Sequence, residues 1–134
     1  MAYKNNIKRS THTVIPTNVL NECRQKLLTM KADILNRSHH AATQFNQLDK
    51  SAGDEIDQSS AHQEEHTFLI NQTRLKSQLL EVEFALARIE LGTYGVCEET
   101  EEPIEHERLK ALPHTRYSIE GAEFRESLNK KYAR

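Results

Sequence analysis

The sequence contains no tryptophan, and hydrophobic residues make up only 37% of its 134 positions. A chain this short and this poor in large apolar side chains does not build a large globular core; it is one domain, or one domain with a small appendage. Its two cysteines, Cys23 and Cys97, lie far apart and make no disulfide framework. No apolar run approaches the length of a membrane span. The basic N-terminus (Lys4, Lys8, Arg9) is not followed by the apolar run of a secretory signal, so a cytoplasmic location is expected. The net charge is only -2, and the longest acidic run is Glu98-Glu99-Thr100-Glu101-Glu102. The basic footprint of a protein that binds nucleic acid directly is missing. No phosphate loop, activated nucleophile or oxyanion hole is legible, and an enzyme is not expected.

What is present is a pair of amphipathic stretches about a short acidic centre, Gly53-Asp54-Glu55-Ile56-Asp57. Upstream, a stripe at alternating threes and fours reads Leu20, Cys23, Leu27, Met30, Ile34, Arg37, Ala41; downstream it reads Phe68, Gln72, Leu75, Leu79, Val82, Leu86, Ile89. This is the a/d seam of a coiled coil with polar interruptions at Arg37 and Gln72. Paired end to end, from Leu20 with Ile89 to Ala41 with Phe68, the residue numbers of each pair add to 109. Two helices folded back about one point must show such a constant sum, and this one places the tip between Asp54 and Glu55. The same rule pairs Phe45 with Glu64 and Leu48 with Ala61, a thin seam near the tip.

The expected helices run from about Val19 to Lys50 and from about Asp57 to Leu91, each arm roughly 45–52 Å long at 1.5 Å per residue. Thr17 or Asn18 can cap the first helix. Gly53 can take the positive φ of a tight reversal, and Asp54 or Asp57 can cap the second helix. His62 and His66 share a helical spacing that can bind metal, but nothing completes a site, and they read as solvent-facing, as do His39 and His40. Gly92 suits the residue just past a helix end. Beyond it, Tyr94, Ile104, Leu109, Leu112, Tyr117, Ile119 and Phe124 are available for a small core, with a short terminal helix from about Ile119 to Tyr132. The expected organisation is a flexible arm (1–17), an antiparallel hairpin (18–91, tip near 53–57) and a C-terminal region (92–134). The fold class is all-α dominated.

The stretch Ala87-Arg88-Ile89-Glu90-Leu91-Gly92-Thr93-Tyr94-Gly95-Val96-Cys97, continued by Ile104, Arg108-Leu109, Ala111 and Pro113, resembles the DksA/TraR family. In that family a Gly-Thr-Tyr-Gly-x-Cys turn opens a four-cysteine zinc ribbon at the base of a long coiled-coil hairpin. The resemblance implies a regulator that binds RNA polymerase rather than DNA, inserting its hairpin tip into the secondary channel. The family's Asp-x-x-Asp tip falls on Asp54 and Asp57, and the small residues after it on Ser59 and Ser60. Arg74 and Arg108 fall in register with basic residues expected to touch the polymerase rim; by type, Arg74 is equally a solvated helix residue, and Arg108 can instead clamp the ribbon region.

The ribbon departs from the family. Its four ligand positions hold Cys97, Thr100, Ser118 and Gly121, so a degenerate, metal-free ribbon with no cofactor is expected. His106 and His114 do not lie at knuckle positions. Positions expected to be basic for the guanosine tetraphosphate alarmone hold Glu81, Leu112 and Ala122, so no alarmone synergy is expected. Lys76 and Lys110 are the nearest lysines that could substitute. The alternative to a polymerase factor is a cytoplasmic coiled-coil adaptor, and it is distinguished by indifference to Asp54 and Asp57.

Overall fold

The computed structural model describes residues 15–51 and 58–132. Among them are four helices: α1 (Thr17–Ser51), α2 (Gln58–Leu91), α3 (His106–Ala111) and α4 (Ile119–Tyr132). The first helix begins two residues earlier than its sequence suggests. Thr17 is already helical, and the Pro16 carbonyl accepts the first backbone bond, from Leu20 N–H at 3.0 Å. The ends of α1 and α2 bracket residues 52–57, so the expected tip residues Gly53, Asp54, Glu55, Ile56 and Asp57 lie outside the described residues. None of the described helices is long and apolar enough to cross a membrane.

Two compact units emerge, each with its own core. The unit spanning Thr29–Leu80 holds parts of both long helices, packed antiparallel along a thin seam. Ile34 is buried, while Met30, Ala41, Phe68, Gln72, Leu75 and Leu79 are half-buried. Arg37, expected in the seam, is exposed and pairs with Asp33 one turn back at 3.1 Å. Ser38 takes its place: its hydroxyl donates to Gln72 Oε1 at 2.6 Å, and Gln72 Nε2 donates to the Ser38 carbonyl at 3.1 Å. Burying a long guanidinium at a thin seam costs more than burying a hydroxyl that the facing amide satisfies on both sides. An aromatic contact joins the seam further on. Phe45 stacks on Phe68 at 4.4 Å between ring centroids, a contact the end-to-end pairing did not include. Such a stacked pair adds about 0.5–1.5 kcal/mol beyond its area.

The other unit joins the chain up to Leu28 with Glu81 onward. Val19, Cys23 and Leu27 of α1 and Val82, Ala85 and Ile89 of α2 are buried together with Tyr94, Cys97, Ile104 and Leu109 from the C-terminal region. The Cys23 thiol donates to the Leu109 carbonyl at 3.6 Å. Lys26 Nζ reaches the Lys110 carbonyl at 2.8 Å, at the C-terminal end of α3, where a cation is favoured. Leu112, Ile119 and Phe124, expected in the core, are exposed instead. α3 is a single short turn-and-a-half, and it presents only Leu109 inward.

The exit from α2 explains two glycines. Gly92 has φ 77°, with its N–H bonded to the Ile89 carbonyl and that of Thr93 to the Arg88 carbonyl. This is the Schellman pattern, and it needs a left-handed residue just past the helix. Gly95 has φ 86°, and a Cβ there would overlap Ile15. Glycine is therefore demanded twice at that position, by conformation and by space.

The Phe45–Phe68 stack gives a register test. In a double-mutant cycle of Phe45→Ala and Phe68→Ala, the coupling energy should be about 1 kcal/mol. Phe45→Ala combined with Glu64→Ala should show a weaker coupling than the aromatic pair.

Candidate functional site

Of the four residues expected at the tip, Asp54 and Asp57 lie outside the described residues, and Ser59 and Ser60 are exposed in the first turn of α2. His62 and His66 are exposed on the same helix. Arg74 is exposed midway along α2. Arg108 is differently placed. It is half-buried, and its Nε donates to the Tyr117 carbonyl at 2.8 Å, tying α3 to the segment before α4.

The four positions of the ribbon come together. Val96 and Pro103 form an isolated antiparallel bridge, and Cys97 N–H donates to the Glu102 carbonyl at 2.8 Å. Glu101 closes this first knuckle in the left-handed region, with φ 60° and its N–H on the Cys97 carbonyl at 2.9 Å. The second knuckle runs from Ser118 into the first turn of α4, where Gly121 N–H donates to Ser118 Oγ at 3.1 Å. Glu98 N–H joins the two knuckles by donating to the Arg116 carbonyl at 2.9 Å.

Cys97 sits fully buried at the centre. Its sulfur accepts from Thr100 N–H at 3.5 Å. Burial pushes the thiol up, but hydrogen bonds from the Ser118 and Thr100 side chains and backbones outweigh it and hold the pKa at about 7, below the ordinary 9.0. A Cβ at Gly121 would overlap this sulfur.

A tetrahedral zinc site needs about four N, S or O side-chain ligands. Here the four positions supply one thiol, two weak hydroxyl donors and a residue with no side chain, so the donor set does not fit zinc. Among the described residues, no three His, Cys, Asp or Glu side chains form a group able to hold a metal, His106 and His114 included. His114 instead accepts from Arg88 through its carbonyl at 3.4 Å.

Around the knuckles, polar groups hold what a small core cannot. Tyr94 donates to the Pro113 carbonyl at 2.7 Å, and burial, with a bond to Cys23, pushes its hydroxyl well above the ordinary range. Arg116 pairs with Glu81 at 3.6 Å and Glu98 at 3.5 Å. Arg125 pairs with Glu99 at 3.7 Å, and both arginines lie against the Tyr117 ring. Sequence reasoning missed Arg116 altogether; the acidic run Glu98–Glu102, which requires cationic partners, was the one signal for it. Glu81 is thus an ion-pair partner of Arg116. Leu112 is exposed, Ala122 is half-buried, and Lys110 lies 3.9 Å from Glu107.

Arg108→Ala should destabilise the fold by about 1–2 kcal/mol, because Tyr117 O loses a charge-assisted donor. Arg108→Lys should not restore it, since lysine has no Nε–H at that point on the stem. Arg74→Ala should move the denaturant midpoint by no more than about ±0.5 kcal/mol in stability.

Residues 92–126 match the family model described as the prokaryotic dksA/traR C4-type zinc finger. The chain is 34% identical over 100 residues to the RNA polymerase-binding transcription factor DksA of Caulobacter vibrioides, covering 75% of this chain and 70% of that protein. An uncharacterized protein of Aquifex aeolicus is 37% identical over 108 residues, covering 78% and 74% of the two chains. The solved structure of transcription factor DksA2 from Pseudomonas aeruginosa superposes with a TM-score of 0.78 at 25% identity, over 92% of this chain and 98% of that one. A helical hairpin with knuckles of this spacing, and relatives matched over most of their length, make this chain a member of the DksA/TraR family.

Proposed function

We propose that this protein regulates transcription by binding RNA polymerase directly, with its hairpin tip inserted in the secondary channel and without contacting DNA. The observation that carries the reading is the match, over most of both chains, to a relative named as an RNA polymerase-binding transcription factor. The fold supports it, since two long antiparallel helices with few buried side chains can enter a narrow opening. Asp54 and Asp57 are the acting groups in this reading. Two carboxylates delivered near a Mg²⁺-centred reaction compete for cationic and polar groups there and shift the balance between polymerase states. Ser59 and Ser60 follow them into the channel. Arg74 contacts the rim, while Arg108 acts through the fold. The protein is a binding factor in this reading and not an enzyme.

The reading also proposes an absence of alarmone synergy. A polyphosphate needs compact cations, and Glu81 brings a carboxylate to a position where the family expects a base. Paired with Arg116, that carboxylate also engages a cation that a polyphosphate would otherwise use.

Core polymerase from the same organism should co-purify with the wild-type protein. The doubled change Asp54→Asn and Asp57→Asn should abolish the effect on promoter-complex lifetime while leaving helicity intact. An adaptor would be indifferent to that change. Arg74→Ala should weaken polymerase binding without lowering helicity. Titrating the alarmone, with a polymerase stripped of its other alarmone site, should leave this protein's effect on complex lifetime flat. An effect that grows with alarmone only when this protein is present would contradict the reading.

A further inference from the structure

We infer that Cys97, Thr100, Ser118 and Gly121 form a sulfur-centred hydrogen-bond cluster that takes the structural place of the ribbon metal, so that this chain folds independently of zinc. The donor set alone says that zinc fits poorly; the packing says what has replaced it. Gly121 is the informative residue. It lies in the first turn of α4 with an ordinary helical backbone, so no positive φ calls for glycine there. Glycine weakens a helix relative to almost any other residue, and another cause is needed. The cause is space: a Cβ at this position would overlap the Cys97 sulfur, while Ser118 Oγ at 3.4 Å and Glu99 Cβ at 3.5 Å would stand at ordinary contact. The sulfur occupies the room that the first side-chain carbon of a fourth ligand would fill.

The remaining two positions supply what the sulfur then requires. A buried thiol left without partners is poorly stabilised. Here Thr100 and Ser118 approach it with side chains and backbone N–H groups, and Ser118 Oγ in turn accepts from Gly121 N–H. Thr100 and Ser118 are therefore bonded to the sulfur, and Gly121 is bonded to Ser118. Three further links join the halves of the ribbon without passing through the cluster: the Glu98–Arg116 backbone bond and the Arg116–Glu98 and Arg125–Glu99 ion pairs.

The test uses the full-length chain, its zinc content by elemental analysis, and its melting temperature with zinc or a strong chelator added. The wild-type protein should purify with far less than one zinc per chain, and neither zinc nor chelator should shift its melting temperature. Gly121→Ala should lower the melting temperature by about 5 °C or more, since the added methyl displaces the sulfur, and zinc should not restore it. Cys97→Ser should also melt lower, equally so with and without zinc. The triple change Thr100→Cys, Ser118→Cys and Gly121→Cys should convert the region to a zinc-binding one whose melting is chelator-sensitive. Stoichiometric zinc in the wild-type protein, a chelator-lowered melting temperature, or a neutral Gly121→Ala would each overturn the inference. Should the variants fail to fold, the metal content and chelator response of the wild-type protein still decide it.

Discussion

The interior contact between Cys23, Leu27, Val82, Ala85, Ile89 and Leu109 is the constraint on which the C-terminal half of the chain depends. Leu109 is the one residue of α3 that is buried, and it anchors that helix; the Cys23 thiol and Lys26 ammonium seal its carbonyls. Each fully buried aliphatic side chain contributes roughly 1.5–3 kcal/mol. Few such residues are available, so the knuckles cannot rest on apolar burial alone. Tyr94, Arg108 and Arg116 supply the remaining ties through backbone carbonyls and carboxylates.

This division of labour accounts for the exposed apolar residues. Leu112, Ile119 and Phe124 have the right chemistry for a core but are exposed, and Leu112 lies just past the end of α3. α4 turns Gly121 toward the sulfur, which carries Ile119, two residues before it, to the opposite face. The half-buried Tyr117 ring carries Arg116 at 5.2 Å and Arg125 at 5.6 Å from its centroid, a cation–aromatic arrangement.

Much of the fold was legible because a coiled-coil seam is written in one dimension. The stripe from Leu20 to Ile34 and its counterpart from Leu75 to Ile89 needed only counting, and the buried Cys23, Leu27, Ile34, Val82 and Ile89 lie on it. Counting failed where side-chain chemistry competes with period. Arg37 and Ser38 both satisfy a seam spacing after Ile34; the choice between them depends on Gln72, which sits across the seam and far away in sequence. Phe45 and Phe68 were likewise separable only by knowing that two rings meet. The ribbon positions were found through the motif around Gly92 and Cys97. Sequence could say that Gly121 offers no ligand, but not that its missing side chain makes room for sulfur.

The functional reading turns on where the Asp54–Ser60 end of the hairpin lies when the protein is bound. A photo-cross-linking amino acid placed at Ser59, in an otherwise wild-type chain mixed with core RNA polymerase, tests that most directly. The account predicts short-range cross-links to polymerase segments that line the secondary channel near the catalytic Mg²⁺, suppressed when unlabelled protein competes. Cross-links confined to the outer surface of the polymerase, or to a second copy of this chain, would contradict it.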